Sequence, residues 1–314
     1  MILFLVQANY KIGFGHLSRC TSIAQELKNF YKKKIIHGVD FKLKGIDLKC
    51  YDKIYSTKKN ILEIIKKNKI RKIIIDKNIN NEDFKKKLKT MGCKLIQLNH
   101  NFERYKYIDF VINYLAKNKK NKIFNNLKYL IIKKNIINKY KKFKFKKKTT
   151  ILVCLGGSFN KKYFDKIFRI IQNPKFKKFN IIFILPNRSP IKDISLETKN
   201  IKFVINPEYQ KLKKIYRNSN VGVSSGGLQL SEMIANRMNV LSVGKNKTEQ
   251  KNINFFAQNG FCHATRLNDN GKIIFNKLFN IISDKYLREK IEKKIIKNFS
   301  LNGAENTANL IKKL

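Results

Sequence analysis

Short apolar runs alternate with helical stretches along the chain, and this alternation constrains the fold more than any other feature of the sequence. An apolar run at 2–6 precedes a stretch at 17–30 whose apolar residues recur at helical spacing. The same succession recurs at 70–76 followed by 81–91, and at 150–155 followed by 161–172. Such alternation is typical of parallel sheets covered by helices on both faces. The sequence therefore predicts an α/β protein.

The length of the chain and one lysine run predict two domains. At roughly 150 residues per domain, 314 residues suffice for two cores. Lysines crowd residues 139–148, and so many like charges favour a solvated linker, with an RNA-binding tail as the sharper alternative. We place the N-terminal domain at 1–148 and the next domain from 149. Each half begins with a strand that runs into a glycine-rich turn.

The net charge of +48 suggests nucleic acid or an anionic membrane as a partner, but the kind of basic residue argues against nucleic acid. Only nine of the 69 basic residues are Arg, whereas readers of nucleic acids favour Arg for bidentate contacts. The excess is Lys, which accompanies Asn and Ile throughout, as an AT-rich coding sequence would produce. We therefore predict no nucleic-acid partner.

The cysteines and the apolar runs indicate a cytoplasmic protein. The five cysteines are scattered and form no C-x-x-C pair, so neither a zinc site nor a disulfide framework is expected. No apolar run reaches the roughly 18 residues that a membrane span needs. The first residues lead directly into a glycine turn and are typical of a core strand, not a signal peptide.

The stretch from Ile12 to Arg19 is the first candidate site. Gly13, Gly15 and His16 lie between a predicted strand and a predicted helix. Open α/β sheets bind ligands at the carboxyl ends of their strands, and helix N-termini favour anions. A histidine placed there can act as a general base. On these residues alone, a simple glycine turn with a solvated histidine is an equal alternative.

The second half contains two further glycine-rich turns. Gly156–Ser158 follows one predicted strand, and Ser224–Gly227 follows another and opens a helix that carries Glu232. Neither turn matches the P-loop, and neither matches the G-x-G-x-x-G dinucleotide pattern. Their backbone N–H groups would face an anion. We therefore expect a cleft between the two domains that binds a nucleotide-linked substrate.

Taken in order, these motifs resemble a known family. The sequence from Ile12 to Cys20, I-G-F-G-H-L-S-R-C, is similar to the I-G-x-G-H-x-x-R-C signature of PseG-type UDP-sugar hydrolases of pseudaminic acid biosynthesis, relatives of the MurG-like GT-B glycosyltransferases. The resemblance continues at 155–158 and at 224–232. It reaches the end of the chain, where 302–308 is similar to the family's G-A-E-R-V-A segment. It covers nearly the whole chain.

The resemblance implies a GT-B fold, with two Rossmann-like domains whose parallel sheets face each other across a cleft. The second domain would end at 302, and the helix at 303–314 would pack back toward the first. The implied reaction is hydrolysis of a UDP-linked diacetamido-deoxy sugar with inversion, without metal or cofactor, with water as the nucleophile and His16 as the base. Glu232 would hold the ribose. The implied substrate-binding residues are Gly13, Gly15, Arg19, Asp76, Gly157, Ser158, Ser225, Gly226, Gly227, Leu228, Glu232 and Gln250.

The sequence also departs from that family, and other functions stay open. Asp76 is followed by Lys-Asn where the family commonly has His-Tyr, Asn99-His100 stands in place of an Asp pair, and Glu249-Gln250 in place of Asn-Gln. The departures concern the sugar side more than the nucleotide side. A GT-B glycosyltransferase in which His16 activates an acceptor hydroxyl is the alternative, with peripheral membrane contact through its basic surface. A non-catalytic or nucleic-acid-binding protein is the third class.

Overall fold

The computed structural model describes most of the chain. The described residues are 1–8, 15–27, 30–39, 48–77, 79, 81–98, 106–115, 122–137, 149–157, 159–186, 198–266 and 268–314. The chain divides into two compact units, Met1–Lys134 with Ser300–Leu314 and Asn135–Phe299. The sequence placed the boundaries at 148/149 and 302/303, and residues 138–148, which include the predicted linker, lie outside the described part. Those boundaries stay a prediction.

In its described residues the first unit holds a seven-stranded parallel sheet of order β3-β2-β1-β4-β5-β6-β7. Its strands are β1 (Ile2–Ala8), β2 (Lys34–Val39), β3 (Lys53–Tyr55), β4 (Lys72–Asp76), β5 (Lys94–Leu98), β6 (Phe110–Ile112) and β7 (Ile123–Phe124). Its helices are α1 (Gly15–Glu26), α2 (Ile61–Lys67), α3 (Glu82–Thr90) and, from the end of the chain, α10 (Gly303–Lys313).

The side chains of β1 alternate between two apolar cores, as expected of a strand that is buried on both faces. Phe4 and Val6 join the core that α1 and α10 cover, and Leu3 and Leu5 join the core on the other face, with apolar residues of α2 and α3. Asp76 pairs in register with Val6, which places its carboxylate on the face of α1. This register brings a buried acid to the helix that carries His16.

The second unit holds a six-stranded parallel sheet, counted in its described residues, of order β10-β9-β8-β11-β12-β13. Its strands are β8 (Thr150–Cys154), β9 (Asn180–Leu185), β10 (Ile201–Ile205), β11 (Val221–Ser224), β12 (Asn239–Ser242) and β13 (His263–Ala264). Its helices are α4 (Lys161–Ile171), α5 (Tyr209–Asn218), α6 (Leu228–Ala235), α7 (Lys247–Gln258), α8 (Gly271–Ser283) and α9 (Lys285–Asn298). Apolar residues of α4 and α8 pack on one face in a single core with the strands.

The abundant asparagines serve local structure. Asn60, Asn81, Asn160, Asn246 and Asn270 each cap a helix by accepting a backbone N–H with the side-chain oxygen. Asparagine is among the strongest N-cap residues, because its short side chain satisfies a donor that the first turn leaves unpaired. The Lys, Asn and Ile composition thus supplies helix starts as well as charge.

The predicted α/β class with parallel sheets is confirmed, and most predicted elements lie within two residues of their observed positions. The sequence missed the two-residue edge strands β7 and β13. It also began one helix at Pro207, whereas α5 begins at Tyr209, after Asn206 with a φ of +39°. It began another at Glu249, whereas α7 begins at Lys247 because Asn246 is its cap.

Candidate active site

The first group of candidate residues lies where the strand order of the first sheet reverses direction. β2 and β4 flank β1, so the order turns between β1 and β4, and ligands of open α/β sheets bind at that point, outside the carboxyl ends of the strands. Asp76 is the last residue of β4, and His16 lies in the first turn of α1, which follows β1. Two predicted site residues, 60 positions apart in sequence, therefore meet at one sheet edge.

Asp76 is the centre of this group and is fully buried. Its Oδ1 lies 2.9 Å from His16 Nδ1 and accepts a hydrogen bond of 2.9 Å from Arg19 Nη2. Its Oδ2 accepts from Arg19 Nε at 3.0 Å, so the guanidinium grips the carboxylate with two parallel bonds. Cys20 Sγ lies 3.9 Å from Oδ2. Arg19 Nη2 also lies 3.0 Å from His16 Nδ1. The substrate-binding roles that the sequence assigned to Arg19 and Asp76 stay predictions.

His16 Nδ1 lies between the Asp76 carboxylate and the Arg19 guanidinium. Burial by itself raises the pKa of Asp76, but the Arg19 guanidinium and the hydrogen bond from His16 outweigh it and lower the pKa to about 2. An ionised carboxylate can only accept, so the 2.9 Å contact with Oδ1 is a hydrogen bond when Nδ1 carries the proton, whereas Arg19 Nη2, 3.0 Å from the same nitrogen, can donate to it when the proton is on Nε2. In the tautomer with the proton on Nδ1, Nε2 is the nitrogen that can take a proton from a nucleophile.

The groups around Asp76 keep their protons at neutral pH. Burial raises the pKa of the Cys20 thiol well above its usual value, and the Asp76 charge raises it further. Burial raises the pKa of Tyr114 to about 12, although Arg19 opposes the shift. Among these groups, Asp76 is thus the one that carries negative charge beside His16 and Arg19.

The glycines before His16 are only partly described. Gly15 is the first residue of α1, and a Cβ built on it would meet nothing closer than Arg19 Nη1 at 3.9 Å. Gly13 lies outside the described residues, as does the rest of 9–14. Asn99 and His100 lie outside them too.

The second group of candidate residues lies at the corresponding reversal of the second sheet, between β8 and β11. Gly156 and Gly157 follow β8, and the 225–227 loop follows β11 and leads into α6. Gly227 caps α6 without a side-chain hydrogen bond, and its backbone oxygen accepts the Leu230 N–H at 3.2 Å. A helix start of this kind attracts an anion. Ser158 lies outside the described residues.

Two glycines in this group are required by their surroundings. Gly156 has a φ of +104°, a conformation that side-chain-bearing residues rarely adopt. A Cβ on Gly226 would lie 2.3 Å from the backbone oxygen of Glu249, so only glycine lets the 225–227 loop pack against α7. Asn252 Nδ2 fixes this contact by donating to Gly226 O at 2.9 Å. Ser225 is fully buried, and its Oγ has no hydrogen-bond partner among the described residues.

Two predicted ligand-binding side chains are engaged within the protein. Glu232 Oε2 accepts a 2.9 Å hydrogen bond from the hydroxyl of Tyr216 on α5, and Glu232 is buried. Gln250 Nε2 donates to Thr265 O at 2.9 Å, while its Oε1 is buried without a hydrogen-bond partner in the described part of the chain. Their roles toward a ligand stay predictions.

The sequence reasoning missed Lys245, which lies beside Gly156. Its Nζ donates to Leu155 O at 2.9 Å and lies 3.4 Å from Glu249 Oε1. The available signal was the N-x-x-E pattern of Asn246 and Glu249, a helix-start motif that anchors the preceding residue.

The described residues contain no group of three or more side chains suited to a metal ion, and none of their helices is long and apolar enough to cross a membrane. The five cysteines, all in described segments, are thiols.

Comparison with known proteins confirms the GT-B fold. The chain superposes over 100% of its length on 99% of MurG from Acinetobacter baumannii, with a TM-score of 0.72 and 12% identity. It superposes over 99% of both chains on WaaG, a glycosyltransferase involved in lipopolysaccharide biosynthesis, with a TM-score of 0.63 and 12% identity. It covers 100% of the UDP-GlcNAc 2-epimerase from Neisseria meningitidis bound to UDP-GlcNAc, with a TM-score of 0.62 and 11% identity. At these identities the likeness shows the fold.

The relatives found by sequence comparison do not indicate an activity. No family model matches the chain. The uncharacterized protein MJ1062 of Methanocaldococcus jannaschii is 25% identical over 275 residues, which are 80% of this chain and 57% of that protein. The uncharacterized protein MJ1071 of the same organism is 26% identical over 196 residues, 62% of this chain and 55% of that protein. The chain thus spans about half the length of the curated relatives it matches.

Proposed function

We propose that this protein transfers a glycosyl group from a UDP-sugar to a hydroxyl group, with His16 as the general base. The observation that carries the proposal is the buried Asp76 carboxylate, which lies 2.9 Å from Nδ1 of a partly exposed histidine at the reversal point of the first sheet. An acid that orients an imidazole and stabilises its protonated form is the arrangement by which histidine activates hydroxyl nucleophiles.

The proposed reaction is a single displacement at the anomeric carbon. The nucleophile's O–H proton moves to His16 Nε2 while its oxygen bonds to the anomeric carbon. The bond from that carbon to the oxygen of the β-phosphate breaks, its electron pair goes to that oxygen, and UDP leaves. Attack opposite the leaving group inverts the configuration. Arg19 keeps Asp76 ionised, and Asp76 stabilises the imidazolium that forms.

The second unit would hold the nucleotide. The uncapped start of α6, at Gly226–Leu228, offers backbone N–H groups to the diphosphate, and negative charge develops there as UDP departs. Glu232 would accept from the ribose, with Gly157, Ser158, Ser225 and Gln250 nearby. The solved structure of the Neisseria epimerase with UDP-GlcNAc supports a UDP-sugar as the ligand of this fold.

Two nucleophiles are candidates, and a specific observation favours each. A hydroxyl-bearing acceptor is favoured by the fold match to the glycosyltransferases MurG and WaaG. Water, as in the PseG-type hydrolases, is favoured by the motif from Ile12 to Cys20 and by the ordered motifs that follow it. The same base and the same leaving group serve both reactions. The five free thiols favour the reducing cytoplasm as the compartment of this protein. Contact with a membrane surface is expected only if the protein is a transferase.

Incubation with a panel of UDP-sugars tests the proposal. Transfer predicts that UDP appears only when an acceptor, such as a sugar or lipid-linked sugar extract, is added. Hydrolysis predicts UDP and a reducing sugar without acceptor. A UDP-sugar that returns as its epimer, with no UDP released in either condition, would contradict glycosyl transfer and favour an epimerase.

A further inference from the structure

The loop after β12 places one lysine against the loop after β8. Lys245 is nearly buried, with 12% of its side chain exposed. Its Nζ donates to Leu155 O at 2.9 Å and lies 3.4 Å from Glu249 Oε1. An ammonium group has three N–H donors, so these two contacts, which are its hydrogen-bonding and ionic contacts within the described residues, leave one donor to spare.

Gly156 determines where that ammonium can lie. A Cβ built at Gly156 would be 3.0 Å from Lys245 Nζ and 3.3 Å from Ser225 Oγ. The missing side chain therefore lets a charged group and an unpartnered hydroxyl converge beside the loop that follows β8. Ser225 is also the second residue before Gly227, the cap of α6. The charge of Lys245 is thus fixed on the side of the unit where α6 begins.

Glu249 holds this lysine at both ends. Its Oε2 accepts the backbone N–H of Lys245 at 3.0 Å, and its Oε1 faces the ammonium. Its own N–H donates to the side chain of Asn246 at 2.9 Å, as in a capping box. A carboxylate that satisfies a helix start and restrains a lysine has its acceptors occupied by the protein. Its contribution is to position Lys245.

We propose that Lys245 is the cation that this enzyme holds against the diphosphate of its substrate, and that Glu249 positions it. The inference rests on the proposed function. As the anomeric C–O bond breaks, the electron pair goes to the β-phosphate oxygen, and the third N–H of Lys245 donates to the diphosphate. A charge that is already fixed in a partly buried position needs no reorganisation as negative charge develops. The β-phosphate oxygen needs no proton to leave, because the ammonium of Lys245 stabilises its negative charge, and UDP departs as an anion.

Binding of UDP and of uridine to Lys245→Met tests this role. Methionine keeps the unbranched side chain and removes the charge, and Lys247→Met, an exposed lysine in the first turn of α7, is the matched control. We expect the Kd of UDP to rise about tenfold to hundredfold in Lys245→Met, because a hydrogen bond to a charged group is lost. Uridine lacks phosphate, so its Kd is expected to stay unchanged, as are both constants in Lys247→Met.

The outcomes of these titrations distinguish an error in the proposed function from an error in the role of Lys245. If the wild-type protein binds neither UDP nor any UDP-sugar, the proposed function fails. If the wild type binds UDP and Lys245→Met binds it equally well, the role of Lys245 alone is wrong. A uridine Kd that rises as much as the UDP Kd would show that Lys245 only supports the loop, which also overturns the proposal.

Glu249→Gln supplies a second test. Glutamine retains an oxygen acceptor for the Lys245 N–H but places an amide NH2 where Oε1 faces the ammonium, so the ammonium loses its restraint. We expect the Kd of UDP to rise several-fold, less than in Lys245→Met, with the Kd of uridine unchanged. A Kd of UDP equal to that of the wild type would contradict Glu249 as the residue that positions Lys245.

Discussion

At the scale of single residues, the proposed role of His16 depends on Asp76. A buried carboxylate is costly unless it is paired and hydrogen-bonded, and here Arg19 and His16 together supply the pairing. The same carboxylate offers an acceptor 2.9 Å from His16 Nδ1, which favours the proton on that nitrogen. The stability of this group and the proposed role of His16 thus depend on one residue.

Replacing Asp76 separates its role in orienting His16 from substrate binding. In Asp76→Asn the neutral amide lacks the charge that favours the proton on Nδ1, and it stabilises the imidazolium poorly. We expect kcat to fall by about 10²- to 10⁴-fold, the usual range for losing a general base. UDP binding should be retained, because the residues proposed to hold the nucleotide belong to the second unit. Steady-state kinetics and UDP titration measure both.

Asp83→Asn, an exposed residue of α3, is the control and should leave both quantities unchanged. A kcat of Asp76→Asn within a factor of three of the wild type would contradict the assignment.

The lowered pKa of Asp76 also predicts a pH dependence of stability. Its pKa is about 2 in the folded protein against an ordinary 3.8, so the unfolded chain takes up the proton first as the pH falls. The stabilisation is therefore complete above about pH 5 and is lost between about pH 4 and pH 2. It amounts to roughly 2 kcal/mol. Urea unfolding at pH 7 and pH 3 measures it.

Asp76→Asn should lose less stability than the wild type between these two pH values, because its amide does not titrate. Equal losses in the two proteins would show that the carboxylate is not held ionised by Arg19 and His16.

At the scale of elements, the candidate residues gather at the reversal points of two sheets. The turn after β1 and the end of β4 meet in the first unit, and the loops after β8 and β11 meet in the second. Nothing in the local sequence of these turns requires that meeting. It follows from the strand order, which places segments that are distant in sequence at one edge.

Helix α10 begins at a glycine that packs against the backbone at Leu130 and cannot be replaced without cost. A Cβ on Gly303 would lie 1.7 Å from the backbone oxygen of Leu130. Alanine normally favours a helix over glycine by about 1 kcal/mol, yet Gly303→Ala should destabilise the protein by about 1–3 kcal/mol, as overpacking does. Thermal or urea unfolding of Gly303→Ala and of the wild type shows whether the free energy of unfolding falls or rises.

Asn309→Ala, at an exposed position of the same helix, is the control and should leave stability unchanged or raise it slightly. Stabilisation by Gly303→Ala would show that α10 does not approach Leu130 so closely.

The sequence predicted elements well and their partners poorly. Buried strands such as β4 are continuous apolar runs, and helices such as α6 start after glycine turns, so local patterns suffice for both. The strands β7 and β13 have two residues each, too few for any periodicity. The pairing of His16 with Asp76 and the contact of Lys245 with Leu155 depend on tertiary packing. The family resemblance identified His16 and Asp76 individually, missed Lys245, and could not show that Asp76 contacts His16.

At the scale of the whole molecule, the chain folds into two compact units and carries a large positive charge. The net charge of +48 comes largely from lysines, and many of those described are exposed. Such a charge attracts anionic ligands and repels itself within the folded state. The same property that favours a diphosphate thus reduces stability.

Salt should therefore stabilise this protein. The Debye length falls from about 10 Å at 0.1 M to about 3 Å at 1 M, which screens repulsion between exposed lysines. We expect the Tm to rise by several degrees between 50 mM and 500 mM NaCl, measured by differential scanning fluorimetry. A Tm that falls over this range would show that specific ion pairs outweigh the repulsion, contrary to this account.

The rate of UDP release by His16→Ala tests the central claim most directly. The wild type, given the UDP-sugar and nucleophile found with the panel, is compared with His16→Ala and with Gln25→Ala, an exposed control on α1. We expect His16→Ala to bind UDP with the Kd of the wild type but to form UDP from the UDP-sugar about 10²- to 10⁴-fold more slowly. Gln25→Ala should match the wild type in both quantities. Release by His16→Ala at the wild-type rate would contradict the account.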